Sequence, residues 1–324
     1  MIQELKQKLR PVEDKDRGKL LSISYSKLDV LKCPMKYKLK YVDGHYSRKK
    51  TIATEIGSIL HKGLELKGIS KMKGLPVDYE YLKNVVENGS TEESDKDKEY
   101  IPGTSDIMMR YFEEWFKEDE RTEMCYNDKM KIYFKDVLPT RMEDPEWKVV
   151  GTEVPFEMVY DERCIVHGFI DRIDKNTEDG HLKVIDYKSS KKIFRDVDIK
   201  TPLQMVVYDL ACIYLYGVLP EEHEYDFILL DKKQETRDGV CSKGYLKREI
   251  TKINSLLDKI DYMTITGEYP PVPTPLCYWC SFADMFHTPN CDEKYAGECQ
   301  YYSLWKPEEK TFKVNKKYEG SEFV

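Results

Sequence analysis

From about Lys148 to Ser190 the sequence keeps a strand period three times over with almost nothing between the runs. WKVVGTEVPFEMVY, CIVHGFIDRID and HLKVIDYKSS are separated only by the polar turns Asp161-Glu162 and NTEDG. Runs joined that tightly read as a β-meander, because a parallel return needs a much longer crossover. The third run, VIDYKSS from Val184, stops its apolar residues at an acid and follows with a base two positions later. In an extended chain residues i and i+2 share a face. Asp186 and Lys188 therefore project together, while Ile185 and Tyr187 point the other way. That pair is either an ordinary ion pair or half of an active site.

Helical spacing brackets the meander. In SISYSKLDVLKCPMKYKLKYVDG, Leu28, Leu31, Tyr37 and Tyr41 repeat at helical intervals, Cys33-Pro34 interrupts them and Gly44 is a stop. This predicts two short helices or one kinked at Pro34. TIATEIGSILHKGLELKG predicts a helix with Ile56, Ile59, Leu60 and Leu64 on one side. GSTEESDKDKEY reads as an exposed loop, and SDIMMRYFEEWFKEDE as an amphipathic helix. After the meander come an apolar helix in TPLQMVVYDLACIYLYG, bounded by Pro202 and Gly217, a strand in EYDFILLDKK, and a long helix in YLKREITKINSLLDKIDYMTITG. The class is α/β or α+β, a small mixed central sheet flanked by helices, with a helical insertion. The chain is partitioned into a solvated lead-in at 1–21, N-terminal helices at 22–65, an insertion at 66–147, a core at 148–265, a Cys-rich segment at 266–299 and a tail at 300–324.

With 40% apolar and 12% aromatic residues in 324, the composition is globular. No apolar run approaches the roughly 18–20 residues of a membrane span, and the charged start MIQELKQKLRPVEDKDRGK has no signal-peptide core. Cytoplasmic residence without a membrane partner is the expectation. The net charge of −7 is the difference of 52 basic and 59 acidic residues, so it argues neither for nor against nucleic acid.

Asp171 ends the apolar part of HGFID and Asp186 that of KVID. If the two strands pair across NTEDG, two carboxylates and Lys188 come to neighbouring strand ends. Hard cations such as Mg²⁺ want oxygen ligands, and phosphodiester cleavage needs such an ion. The competing reading is two rim charges paired with Arg172 and Lys188.

The run GFIDRID, then VIDYKSS, then Gln204 and Tyr208 in LQMVVYDLA resembles the RecB-like branch of the PD-(D/E)XK nucleases, whose pattern is G-x-x-D-R-x-D, D/E-x-K and Q-x-x-x-Y. GSILHKGLE, with Gly57 and His61, resembles that branch's G-x-x-x-H, and SYSKLDVLKCPMKYKLKY its N-terminal helix with a Cys-Pro. The motifs occur in the family's order over most of residues 22–291. The resemblance implies a restriction-endonuclease-like core and a Mg²⁺- or Mn²⁺-dependent DNA exonuclease acting on single strands or DNA ends in recombination, repair or DNA processing. A helicase or recombination partner is implied too. It implies metal ligands at His61, Asp171, Asp186 and the Tyr187 carbonyl, with Lys188 orienting the attacking water and Gln204 and Tyr208 reaching the lysine or the DNA. Glu153 matches an acid on the preceding strand and is ranked as support, and Glu65 is placed to steady the imidazole. The alternative is an inactive DNA-binding or zinc-stapled interaction protein of the same fold. The chain has no G-x-x-x-x-G-K-S/T phosphate loop.

Nine cysteines without a secretion signal point to metal ligation or buried thiols. Cys277 and Cys280 form a C-x-x-C, readable as a zinc knuckle, a redox dithiol or an iron-sulfur ligand pair. Similarity to the iron-sulfur subgroup, which includes AddB and the CRISPR-associated exonucleases, implies a 4Fe-4S cluster on Cys33, Cys277, Cys280 and one more cysteine. Phe286 stands where that subgroup's last cysteine falls. Cys291 is the expected substitute, Cys299 the reserve, and zinc the alternative metal. Cys125, Cys164, Cys212 and Cys241 are read as buried or incidental thiols.

Overall fold

The computed structural model describes residues 1–45, 52–93, 98–107, 130–189, 203–228, 235–240, 243–274, 277, 280–282, 295 and 298–299. The chain divides into two units, Met1–Ser24 with Ile52–Ile253, and Tyr25–Thr51 with Asn254–Val324.

In the first unit the meander forms as its turns require. β5 (Trp147–Tyr160), β6 (Cys164–Asn176) and β7 (Leu182–Lys188) pair antiparallel in succession. The apolar helix α6 (Leu203–Tyr216), closed by Gly217 at φ +72, returns the chain to β8 (Glu222–Phe227). That crossover makes β8 parallel to β7. Two edge strands complete the row, β1 (Leu9–Arg10) and β9 (Glu235–Val240). The sheet order is β1-β5-β6-β7-β8-β9, with β2 (Leu21–Ile23) parallel to the start of β6.

Three stretches depart from expectation. The lead-in at 1–21 contains α1 (Ile2–Lys8) and β1, which pairs with β5; Leu5 and Leu9 are buried, an i, i+4 pair hidden among charges. GSTEESDKDKEY is not a loop throughout: β3 (Ser90–Glu93) and β4 (Lys98–Ile101) form a hairpin, whose charged residues mask its period. β9 is a polar edge strand antiparallel to β8, and polar edges carry no hydrophobic alternation to read. Of the expected helix at 105–120, residues 108–120 lie outside the described residues.

The core lies against α4 (Ile52–Met72). Ile56, Ile59, Leu60 and Leu64 pack with Leu82, Val85 and Val86 of α5 (Tyr79–Asn88), with Tyr133, and with Ile185 and Tyr187 of β7. The strand alternation read from VIDYKSS thus holds. The buried Lys67 ammonium donates to the carbonyls of Leu138, at 2.7 Å, Pro139 and Arg141, and pairs with Glu143. These partners give a charge without water the bonds it needs.

In the second unit α2 (Tyr25–Val30) and α3 (Pro34–Tyr37) are two short helices, Pro34 opening the second. The long helix α7 (Lys243–Thr266) begins in the first unit and continues here, where Lys259 Nζ donates to the Leu31 carbonyl at 3.1 Å. His45 stacks on Tyr295 at 4.9 Å and meets Glu298 through Nδ1 at 2.7 Å.

Gly63 of α4 faces Tyr133 so closely that a Cβ there would stand 2.6 Å from the hydroxyl and 2.8 Å from Val86 Cγ2. That hydroxyl is itself committed to the Leu60 carbonyl at 2.7 Å. Alanine gains about 0.5–1 kcal/mol of helix propensity, but overpacking costs about 1–3 kcal/mol. Gly63→Ala is therefore expected to lower Tm by a few degrees in a thermal melt; an unchanged or raised Tm would show that Tyr133 yields freely.

Candidate active site

The sheet opens where its acids sit. β6 and β7 pair from Lys175 and Leu182 to Arg172 and Ile185, then stop. The next pair in that register would be Asp171 and Asp186. Instead Asp171 Oδ2 accepts the Tyr187 N–H at 2.8 Å. On its other side the β5–β6 ladder runs through Thr152–Arg172 and Val154–Ile170 but omits Glu153 and Asp171. Glu153 has φ +43, a region costly for a residue with a side chain.

The irregularity shifts the faces. A Cβ on Gly151 would lie 2.5 Å from Val154 Cγ2, so residues three apart share one side, whereas Thr152 lies against Gly68 of α4. A regular strand alternates by two. The slip brings the Glu153 carboxylate to His61 of α4 and to Asp171: ligand atoms of the three all lie within 4.8 Å of one another. His61 Nδ1 is 3.6 Å from Asp171 Oδ2, and its ring meets Tyr187 edge-on at 5.6 Å.

A second set is hydrogen-bonded around Asp186. Lys188 Nζ lies 2.5 Å from Asp186 Oδ2 and donates to Gln204 Oε1 at 2.8 Å. Gln204 Nε2 lies 2.7 Å from Asp186 Oδ1 and 2.9 Å from the Tyr208 hydroxyl, which itself donates to Asp186 Oδ1 at 3.3 Å. Gln204 and Tyr208 act from one face of α6, as their i, i+4 spacing predicts. Lys188 and Asp186 thus form an ion pair on Oδ2, while Oδ1 is taken by Gln204 and Tyr208.

Burial pushes the carboxyls upward. Desolvation, then repulsion from Asp171 and Glu65, raises Glu153 to about 8. Desolvation raises Asp171 to about 6 and, with Asp171 repelling it, Asp186 to about 6. Burial lowers His61, favouring the neutral imidazole that ligates metals. Three crowded carboxyls and one imidazole offer the oxygen and nitrogen donors that suit Mg²⁺ or, with the imidazole, Mn²⁺, and a cation there removes the repulsion.

His61, Asp171, Asp186, Tyr187, Lys188, Gln204 and Tyr208 thus gather in the first unit. Glu153, ranked as support from its sequence, stands beside His61 and Asp171 in the metal-capable group, while Asp186 is engaged by Lys188. Its positive φ gives no sequence signal, since glycine and asparagine are the residues that announce one. Glu65 pairs with Lys62 at 2.9 Å.

In the second unit Cys33, Cys277, Cys280 and Cys299 line one pocket with Lys36, Leu39 and Phe282. Burial raises the Cys280 thiol, and the neighbouring Cys277 and Cys33 add to the shift. The Cys299 N–H donates to the Phe282 carbonyl at 2.8 Å. Cys291, Cys125 and Cys241 lie outside the described residues. Cys164 and Cys212 are buried.

Residues 22–285 match the PD-(D/E)XK nuclease superfamily, and the chain belongs to it. Over 124 residues, 36% of this chain, it is 32% identical to a subunit of the ATP-dependent helicase/deoxyribonuclease of Streptococcus agalactiae. A relative of the same description from Streptococcus uberis is 45% identical over 47 residues, 14% of this chain and 4% of its own. The chain matches 10% of the length of the S. agalactiae relative. A crystal structure of a candidate exonuclease from Eubacterium rectale aligns over 86% of this chain and 96% of that one, with 13% identity and a TM-score of 0.38. No helix among the described residues is long and apolar enough to cross a membrane.

The raised Glu153 fixes the sign of a pH dependence. A carboxyl at about 8 in the fold and 4.5 ordinarily keeps its proton in the fold after the unfolded chain has lost it. Its contribution is full below about 4.5 and is lost as pH rises through 8. The chelator-treated protein should therefore lose Tm between pH 5 and pH 9 in calorimetry, and Glu153→Gln should flatten the upper part of that slope. A Tm rising across the range would rule this out.

Proposed function

We propose that this protein is a metal-dependent DNA exonuclease acting on single strands or DNA ends during recombination, repair or DNA processing, with Mg²⁺ or Mn²⁺ as its ion. The observation that carries the reading is the convergence of His61, Glu153 and Asp171 within 4.8 Å, next to the Asp186, Lys188 and Gln204 set. His61, Glu153, Asp171 and Asp186 would hold the ion, together with the Tyr187 carbonyl. When bound, it supplies charge neutralisation at the scissile phosphate and a more acidic water.

The chain's own residues do the rest. Lys188 keeps its ammonium at the site edge through Asp186 and Gln204, where it orients the attacking water and stabilises charge developing on the phosphate. Gln204 and Tyr208 fix Asp186 Oδ1, leaving Oδ2 turned to the lysine. The helicase/deoxyribonuclease relatives extend the reading to a helicase partner.

For the second unit the proposal is a 4Fe-4S cluster on Cys33, Cys277, Cys280 and a fourth thiolate, with zinc as the alternative. Thiolates in an apolar pocket suit soft metals and clusters. Sharing that pocket favours Cys299 as the fourth; sequence spacing alone favours Cys291.

Two experiments test these assignments. Lys188→Ala and Asp186→Asn should each reduce Mg²⁺- or Mn²⁺-dependent digestion of end-labelled DNA by about 100-fold or more, with Tm and DNA affinity largely kept. Near wild-type digestion by Lys188→Ala would falsify the catalytic role. Separately, after anaerobic purification, Cys299→Ser should lose iron and its visible absorbance while Cys291→Ser keeps both. The reverse pattern returns the role to Cys291, and stoichiometric zinc in colourless wild-type protein makes the site a zinc staple.

A further inference from the structure

Phe169 lies on β6 two residues before Asp171, and its side chain is 59% exposed. Among the described residues no other phenylalanine is exposed. Its cross-strand partner is Pro155, also exposed, two residues after Glu153. Directly opposed residues of an antiparallel pair share a face, as do residues two apart along a strand. The face that carries the Glu153 and Asp171 carboxylates therefore continues into an apolar step made of a proline and a phenyl ring.

The surroundings leave that step open. β2 pairs with Cys164, Ile165 and Val166 of β6, and β7 begins its pairing at Arg172. Residues 167–171 lie between the two, with neither strand alongside. Single exposed apolar residues are common and need no explanation. An opposed apolar pair abutting opposed metal-capable carboxylates is a different case, because a polar side chain there would cost the fold nothing.

We propose that Phe169, backed by Pro155, is a base-stacking platform for the strand being cut, and that it biases the site toward unpaired DNA. The inference rests on the nuclease reading of the site. Two residues of strand span about 6.7 Å, close to two of the roughly 3.4 Å base steps of a nucleic-acid strand. A phosphate neutralised by the ion that these carboxylates would hold thus brings a neighbouring base within reach of the ring. Every base presents a π-face, so stacking on Phe169 is indifferent to sequence. It does require that the base be free of its complement, and a paired terminus must fray first. The platform thereby selects single strands and opened ends without a base-specific hydrogen bond.

Binding is measured by fluorescence anisotropy with Ca²⁺ in place of Mg²⁺ or Mn²⁺, with an oligothymidine single strand and a blunt duplex, for wild type, Phe169→Ala, Phe169→Leu and Phe169→Trp. Phe169→Ala is expected to weaken single-strand binding by about 5-fold to 100-fold, with duplex binding and Tm unchanged. Phe169→Trp should restore binding and Phe169→Leu should not. A 2-aminopurine beside the 3′ or 5′ end should be quenched by wild type and not by Phe169→Ala. Single-strand binding and cleavage by Phe169→Ala equal to wild type overturn the platform alone and leave the nuclease reading standing. An equal loss in Phe169→Ala and Phe169→Trp overturns it as well. Absence of DNA binding and of cleavage in the metal-loaded wild type overturns both.

Discussion

The hydrogen bond from the Tyr187 main-chain N–H to the Asp171 carboxylate is the contact on which the site depends. It replaces the ladder bond that β6 and β7 would otherwise make, and so parts the strands at the point where each carries an acid. Tyr187 is held from its other end as well. Its hydroxyl accepts from Arg172, whose guanidinium pairs with Asp174 at 3.0 Å, and its ring sits against His61. One residue therefore couples the strand gap, the histidine of α4 and a buried ion pair. Arginine and aspartate of the G-x-x-D-R-x-D run are accounted for by this coupling rather than by contact with a substrate.

The position of His61 along α4 is fixed further up the helix. Lys67 clamps α4 to the 138–141 segment through three carbonyls, and Arg141 of that segment grips buried Asp226 of β8 at 2.6 and 2.8 Å. Asp226 is the register partner of Tyr187. The helix that delivers the imidazole and the strand that delivers the main chain are thus referenced to the same pair of strands. Removing one partner of a buried charge pair costs about 3–5 kcal/mol, so this linkage resists drift more than apolar packing alone.

Much of this was legible because its determinants are local. Short turns fixed the meander, period-2 alternation put Asp186 and Lys188 opposite Ile185 and Tyr187, and i, i+4 spacing joined Gln204 to Tyr208. What escaped depended on long-range contacts. Glu153 enters the metal-capable group through a backbone slip that no residue type marks. Lys67 reads as a surface charge on an amphipathic helix until the carbonyls of 138–141 fold over it. β1 and β9 are short or polar edge strands whose pairing is supplied by their neighbours. Cys33 and the C-x-x-C were identifiable as types, but spacing pointed to Cys291 for the fourth member while the pocket holds Cys299, and loop length changes closure entropy too slowly to separate the two.

The second unit is discontinuous in sequence, joining residues 25–51 to those from 254 onward. The order in which the chain is synthesised then imposes an order on its assembly. Most of the sheet unit, from Ile52 to Ile253, emerges as one continuous stretch and can collapse on its own local contacts, as domains generally do during translation. α2 and α3, made earlier, have no core until the last part of α7 and the C-x-x-C follow. Leu28 and Leu31 are buried in the finished fold, and the Leu31 carbonyl waits for Lys259 of α7. The segment holding α2, α3 and Cys33 therefore waits while Ile52–Ile253 is made, so completion of the second unit is a late, long-range closure rather than a local collapse.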